Sequence, residues 1–247
     1  MIDKYTPILP IGMLENIRIV GNKNVFILPQ LWSISEYRDF YCEHEWNTVV
    51  IDNGVYEGLM TPFENLVNIA DDLHAKQTYI SADEDIGSGY NTAHMIIDQI
   101  DEHGIDGSNW NLMPVIHGSI REMKYMIDLL GDKVHQWSIP IYLTRMGYDR
   151  STIVKYLGIQ DDYVHALGLD NILEIINFDG GIIDTFDTSM PATGSIHGLR
   201  LSSIYLIERG GKDDYARVNL NETSFSDIEH NLCIENMVAI NKMANMC

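Results

Sequence analysis

The stretch Gly181 to Pro191 holds the side chains best suited to chemistry, because its apolar start is followed by two carboxylates, Asp184 and Asp187. The apolar run is typical of a buried strand, and Pro191 ends it. In alternating β/α proteins, catalytic groups gather at the carboxyl ends of the strands. The stretch therefore predicts at least one acid at the mouth of a site, although aspartates also form turns and helix caps.

Other apolar runs end in side chains of the same kind: Asp52 with Tyr56, Asp83 with Asp85, His117, and Gly168. The set contains neither a lysine that could form a Schiff base nor a glycine-rich phosphate loop. It suits a site that binds a polar heterocycle, stacks it on an aromatic ring and attacks a sugar carbon with a carboxylate. The same aspartates and histidine could hold a divalent metal, which is the second choice because no His-x-His pair is present.

The elements that must position these side chains follow from the alternation of apolar runs and helix signals. We predict seven strands, at 25–28, 48–52, 78–82, 112–116, 134–142, 163–167 and from 181, with 199–207 the candidate for the eighth. Capping boxes predict helix starts at Ser33, Thr61, Ser119 and Ser226. We therefore expect an α/β protein, a (β/α)8 TIM barrel that forms a single domain over residues 1–247, with a final helix at about 226–243 packed on it.

The composition limits the classes of partner and compartment. The formal net charge of −20 argues against a generally basic surface for nucleic acid, so such a contact needs a local patch. The three cysteines lack the spacing of a zinc site or a disulfide framework. Neither a secretory signal nor a membrane span is recognisable, which predicts a cytoplasmic protein without membrane partners.

Five blocks of the sequence carry a resemblance to a known family, in order along the chain: DNGVYE at 52–57, ADED at 82–85, PVIHGS at 114–119, HALGLDNILEI at 165–175 and GIIDTFDTSMPATGSIHG at 181–198. With these blocks the chain resembles the tRNA-guanine transglycosylase superfamily, and more closely its short phage and bacterial members that insert 7-deazaguanines into DNA. The resemblance covers about residues 29–197. If the protein is phage-encoded, its compartment is the host cytoplasm.

The resemblance implies a role for each matched residue. Asp187 is the nucleophile that displaces guanine from C1′ and forms a covalent sugar intermediate, and Asp52 is the acid/base that handles the proton of the base. The base is bound by Tyr56, which stacks on it, by Asp83, which accepts two hydrogen bonds from its amino-pyrimidine edge, and by Gly168, whose backbone lies against it.

The sequence departs from the family at several positions. His117 replaces a glutamine that reads the base carbonyl, and Ser138 to Pro140 replace a glycine-rich stretch that contacts the 7-substituent. The arginines that read anticodon bases are missing after Pro191, and the cysteine cluster of the zinc subdomain is missing as well. We therefore expect a zinc-free enzyme that needs no cofactor and acts on DNA.

The predicted partners are guanine-containing DNA and a 7-deazaguanine base, with tRNA the alternative polymer and a second copy of the chain a further candidate. Phosphate contacts would come from a local strip made by Arg145, Arg150, Lys155, Arg200, Arg209 and Lys212. Two other functions stay open. One is a hydrolase on the same scaffold, in which water resolves the intermediate; the other is a non-catalytic protein that binds a deazaguanine or a partner protein.

Overall fold

The computed structural model describes residues 4–55, 58–84, 87–104, 108–169, 171–178, 181–201 and 219–246. Within these ranges lie the strands β1 (Tyr5–Pro7), β2 (Asn24–Ile27), β3 (Glu45–Ile51), β4 (His74–Ala82), β5 (Asn111–Pro114), β6 (Gln136–Pro140), β7 (Tyr163–Leu167) and β8 (Thr185–Thr188). The α-helices are α1 (Glu15–Val20), α2 (Ser35–Cys42), α3 (Phe63–Asp71), α4 (Gly89–His103), α5 (Ile120–Leu130), α6 (Tyr142–Arg145), α7 (Arg150–Leu157), α8 (Met190–Ile196) and α9 (Asp227–Ala244). Short 3-10 helices lie at Ile11–Met13, Pro29–Leu31 and Ile172–Asn177.

The strands form two parallel four-stranded sheets, so the fold class is α/β as expected. One sheet has the order β1-β8-β7-β6 and the other β2-β3-β4-β5. The centre of β3 is buried from Thr48 to Ile51 and is rich in β-branched residues, which suits a strand covered on both faces. In parallel pairs the partners point the same way, and Thr6 is therefore on the same face as Asp187, as Ser138 is with His165.

The two sheets share an interior. An isolated parallel bridge between Val115 and Ser138 connects the end of β5 to β6, and Ile116 N–H donates to Ser138 O over 2.9 Å. The rings of Tyr79 in one sheet and Tyr163 in the other are stacked, with centroids 4.2 Å apart. Phe26 of β2 and His165 of β7 stack in the same way at 5.9 Å. Side chains of the two sheets therefore meet between them.

All seven predicted strands are present, six of them with shifted bounds. The last one begins at Thr185, so Asp184 precedes β8 and does not follow a strand. The strand predicted over 134–142 ends at Pro140, because Tyr142 already begins α6. The eighth strand of the described chain is β1, which the sequence analysis missed. Residues 199–201 of the predicted eighth strand belong to no strand, and 202–207 lie outside the described residues.

Two of the four predicted capping boxes are confirmed. The hydroxyls of Ser119 and Ser226 accept from the backbone N–H of Glu122 and Glu229, whose carboxylates bond back to the serine N–H. The prediction was wrong for the other two helices: α2 has Ile34 as its N-cap and α3 has Pro62, neither with a side-chain cap. Ile34 has an extended backbone and packs against the core, and α2 begins at the next residue.

The last helix, α9, begins directly after its predicted cap and packs on α8 and α1. Asn236 in its centre donates from Nδ2 to the carbonyl oxygens of Pro191 and Leu199, while its Oδ1 accepts from Leu201 N–H. These bonds hold α9 against the segment that follows β8. Among the helices of the described ranges, none is both long enough and apolar enough for a membrane crossing.

Candidate functional site

A cavity of about 220 Å³ opens where the strands end at their carboxyl sides. The exposed surface of its wall is mostly apolar, although eight of the sixteen lining residues carry polar side chains. The lining residues are Ile8, Phe26, Leu28, Asp52, Asp83, His117, Pro140, Ile141, Tyr142, Arg145, Leu167, Gly168, Leu169, Asp187, Thr188 and Ser189. Small apolar pockets with a few convergent polar groups are typical ligand sites.

Asp187 is the third residue of β8 and points into this cavity from the shared interior. Its Oδ1 accepts two hydrogen bonds, from Gly168 N–H over 2.7 Å and from His165 Nε2 over 3.0 Å. No residue of the described ranges donates to Oδ2. Asp187 is 3% exposed, so these two donors take the place of water around Oδ1. One oxygen is thus held by the protein and the other is free to meet a ligand.

Gly168 is needed for this arrangement. Its φ of +74° lies in the left-handed region, where L side chains are disfavoured. A Cβ at this position would lie 3.2 Å from Ile141 Cγ2. The turn after β7 therefore directs the Gly168 N–H at Asp187 and leaves its backbone on the cavity wall.

Asp52 follows β3 directly and faces the same cavity. Its Oδ2 accepts from Gly54 N–H over 3.2 Å, which fixes the turn of the DNG sequence. Gly54 has a φ of +78°, and a Cβ there would lie 2.6 Å from Leu59 O. Asp52 is 9% exposed, so its carboxylate is mostly buried and meets solvent only at the cavity.

Asp83 is held by two neighbours that bind different oxygens. Asn53 Nδ2 donates to Asp83 Oδ1 over 2.7 Å, and His117 Nε2 lies 2.5 Å from Oδ2. The contact to a carboxylate assigns the proton of the neutral His117 ring to Nε2, so Nδ1 is an acceptor. Asp83 and His117 therefore form a buried acid–imidazole pair on the cavity wall.

Tyr142 orients the other side of this imidazole. Its hydroxyl lies 3.3 Å from His117 Nδ1 and accepts from Gly118 N–H over 2.9 Å, and the two rings are almost parallel. Burial raises the pKa of Tyr142, partly offset by the Gly118 hydrogen bond. The phenol is therefore protonated and can donate to Nδ1.

Two predicted site residues, Ser138 and Asp184, do not line the cavity, and two others lie outside the described residues. Ser138 is fully buried in the shared interior, beneath the cavity, and Pro140 two residues later is the one that lines it. Asp184 lies before β8, at the other end of that strand, where its Oδ2 accepts from Val164 N–H over 2.7 Å. Tyr56 lies outside the described residues, as does Asp85.

The predicted basic strip is only partly available to a nucleic acid. Arg150 is fully buried and pairs with Glu174, so it cannot contact a phosphate. Arg200 is exposed but forms an ion pair with Glu235 at 3.1 Å. Arg145 is exposed and lines the cavity, and Lys155 is exposed on α7. Arg209 and Lys212 lie outside the described residues.

Sequence reasoning missed three residues of the site: His165, Asn53 and Tyr142. His165 had a signal, since it is a polar residue inside an otherwise apolar strand. Asn53 and Tyr142 had none, because an amide in a turn and a tyrosine after a strand are common.

Within the described ranges, no group of three or more histidine, cysteine, aspartate or glutamate side chains is arranged to hold a metal ion. Comparison with models of known protein families finds no match for this chain, and comparison with curated proteins finds none either.

Proposed function

We propose that this protein is a base-exchange transglycosylase of the tRNA-guanine transglycosylase superfamily, which replaces guanine in DNA with a 7-deazaguanine. The observation that carries the proposal is the state of Asp187: a buried carboxylate with one oxygen held by two donors and the other free in a small apolar cavity. That is what a nucleophile for a sugar carbon requires. Asp52 faces the same cavity, as the proposed acid/base must.

The proposal includes a closed (β/α)8 barrel made of both sheets. The bridge between Val115 and Ser138 supports closure on one side, and the proximity of β1 and β2 supports it on the other. The stacked pairs Tyr79–Tyr163 and Phe26–His165 would then be interior layers of the barrel. In such a barrel the cavity occupies the catalytic face.

The reaction proceeds in two displacements at C1′. In the first, Asp187 Oδ2 bonds to C1′, the bond from C1′ to N9 of guanine breaks with its electron pair going to the base, and Asp52 supplies the proton that the leaving base takes up. In the second, N9 of the 7-deazaguanine attacks C1′ and gives its proton to Asp52. The bond to Asp187 breaks, and the carboxylate returns to its initial state.

The cavity suits a single heterocyclic base. Its volume of about 220 Å³ lies below the range of about 300–1,000 Å³ of pockets for drug-sized ligands. Asp83 already accepts from Asn53 and His117, but each carboxylate oxygen can accept a further bond from the amino-pyrimidine edge of a base. The base must leave the stack to enter. Arg145 is the cation of the cavity lining and can contact a phosphate of the same strand.

A hydrolase is the second candidate, and the position of Asp52 suits it equally well. Asp52 faces the cavity and can take a proton from water as readily as from an incoming base, as general bases do. Water would then resolve the sugar intermediate in place of the incoming base. Such an enzyme would release guanine and leave abasic sites with no deazaguanine added.

An assay that follows labelled guanine in DNA distinguishes base exchange from hydrolysis. The protein is incubated with labelled single- and double-stranded DNA, and separately with tRNA, with and without a 7-deazaguanine base, and released and incorporated bases are counted. Release that requires the deazaguanine, with its incorporation into DNA, supports exchange. Release without it supports hydrolysis, and exchange with tRNA alone would overturn the DNA substrate.

The matched variants are Asp187→Asn and Asp184→Asn, which remove one carboxylate each from the two ends of the same strand. Asp187→Asn should abolish release, whereas Asp184→Asn should keep the wild-type rate because its side chain bonds to Val164 away from the cavity. Tight binding of a deazaguanine without any release would contradict catalysis and indicate a binding protein.

A further inference from the structure

A chain of hydrogen bonds runs through the interior beneath Asp187. Tyr163 OH lies 2.6 Å from Thr185 Oγ1, which lies 2.8 Å from His165 Nδ1, and His165 Nε2 reaches Asp187 Oδ1 over 3.0 Å. His165 is fully buried, and its ring stacks on Phe26, a residue of the cavity wall.

The direction of the donors along this chain follows from chemistry. A carboxylate only accepts, so His165 donates from Nε2, and the neutral ring then accepts at Nδ1 from the Thr185 hydroxyl. Thr185 in turn accepts from Tyr163. Burial raises the pKa of Tyr163 well above its usual value, against a smaller lowering by Thr185, so the phenol keeps the proton it donates. Thr185 thus accepts one hydrogen bond and donates one, and Tyr163 is the first donor of the chain.

We infer that His165 is a positioning residue for Asp187: it holds Oδ1 inside the fold so that Oδ2 is the atom that bonds to the sugar carbon. Thr185 and Tyr163 hold the imidazole in the tautomer that this requires. The inference rests on the proposed function, and it adds a residue that the family resemblance does not assign.

The geometry explains why one donor would not suffice. Gly168 N–H alone leaves the carboxylate free to turn about its bond to Cβ, whereas two donors on one oxygen fix the plane of the group. Reacting atoms must be placed within a few tenths of an ångström for an efficient attack, and a shift of 1 Å can cost about 100-fold in rate. The hydrogen bond also stabilises the carboxylate when it leaves the sugar in the second step.

The test compares side chains that keep or lose the donor at Nε2. His165→Gln can still place an amide N–H near Asp187 Oδ1, whereas His165→Leu cannot. We expect His165→Leu to lower the rate of adduct formation with DNA by about 100-fold with KM unchanged, and His165→Gln to recover about tenfold of that loss. Thr185→Val, which is close to isosteric and leaves His165 in place, should lower the rate less than His165→Leu. The exposed His74→Gln serves as the control that leaves the rate unchanged.

Folding is checked by circular dichroism and urea titration, and Thr185→Val and His165→Gln keep the test decisive where His165→Leu does not fold. Equal rates for the leucine variant and the wild type would overturn the inference. So would equal losses in the leucine and glutamine variants, because a purely structural histidine would give that result.

A second measurement does not depend on activity. The ring-nitrogen shifts of His165 in NMR should show a neutral ring protonated at Nε2, and Asp187→Asn should change the Nε2 shift. If the wild type forms no adduct with any polymer, the proposed function fails while this tautomer test still decides the hydrogen-bond chain. A ring protonated at Nδ1 alone would overturn the inference even in an active enzyme.

Discussion

Replacing Arg150 should destabilise the fold where β6 and β7 end, because this residue is structural and does not contact nucleic acid. The guanidinium is fully buried, and its Nε donates to Glu174 Oε1 over 2.6 Å. Nη1 donates to Ile139 O and Leu167 O, each over 3.1 Å. These carbonyls belong to the two neighbouring strands, one residue before Pro140 and Gly168 of the cavity wall. Arg150 therefore ties the ends of both strands together.

The expected loss follows from these contacts. Removing one partner of a buried ion pair costs about 3–5 kcal/mol, since the other charge is left uncompensated, and hydrogen bonds from a charged donor contribute about 1.5–3 kcal/mol each. The terms overlap, because the same side chain makes all of them, so we expect Arg150→Met to lower the free energy of unfolding by about 4 kcal/mol. Arg150→Met with Glu174→Met should recover part of this loss.

Urea unfolding followed by tryptophan fluorescence measures the difference. The control is Arg38→Met, which removes a surface pair with Asp39 at 3.2 Å in which both side chains are about half exposed; it should cost less than about 0.5 kcal/mol. A loss below about 1 kcal/mol for Arg150→Met would refute the reasoning, as would a double variant less stable than the single one.

Two further predictions concern the site and its strand. Gly168→Ala should slow adduct formation by at least about tenfold and destabilise the fold by about 1 kcal/mol, because the φ of +74° disfavours a Cβ and the N–H bound to Asp187 must move. Single-turnover kinetics measure the rate and urea titration measures the stability. A wild-type rate would contradict the role of this turn. Burial, partly offset by the Val164 hydrogen bond and by Lys4, raises the pKa of Asp184 above its usual 3.8. The folded state therefore holds that proton more tightly than the unfolded state. The free energy of unfolding falls as the pH rises from the pKa of the unfolded state to the higher pKa of the folded state. Asp184→Asn should flatten the stability profile above about pH 4, and parallel profiles for variant and wild type would show that Asp184 does not titrate in this way.

Local sequence patterns predict an element of this fold well where its own residues, and not its contacts with distant ones, determine its structure. The strand Tyr163–Leu167 has the predicted bounds, because its apolar run is buried in the sheet. The cap at Ser119 forms because its serine and glutamate have the required spacing with no competing burial. By contrast, β1 ends in Pro7, a residue that argues against a strand, and it exists because it pairs with β8.

The candidate site likewise contains residues that local patterns predict and residues that depend on distant contacts. Asp52, Asp83, His117, Gly168 and Asp187 could be predicted because each follows or ends a recognisable run, and the structure brings all of them to one cavity. Their partners could not be predicted, since the bond from His165 to Asp187 joins residues in different strands and depends on the register of β7 and β8. Arg150 shows the reverse error: arginine is usually exposed, and here the first residue of α7 is fully buried.

Intact-mass spectrometry of the denatured protein tests the central claim most directly. Wild type, Asp187→Asn and Asp184→Asn are each mixed with guanine-containing DNA and then denatured. The account predicts a covalent protein–DNA adduct for the wild type and for Asp184→Asn, and none for Asp187→Asn. An adduct that survives in Asp187→Asn would contradict Asp187 as the nucleophile, and no adduct in the wild type despite base exchange would contradict a covalent intermediate.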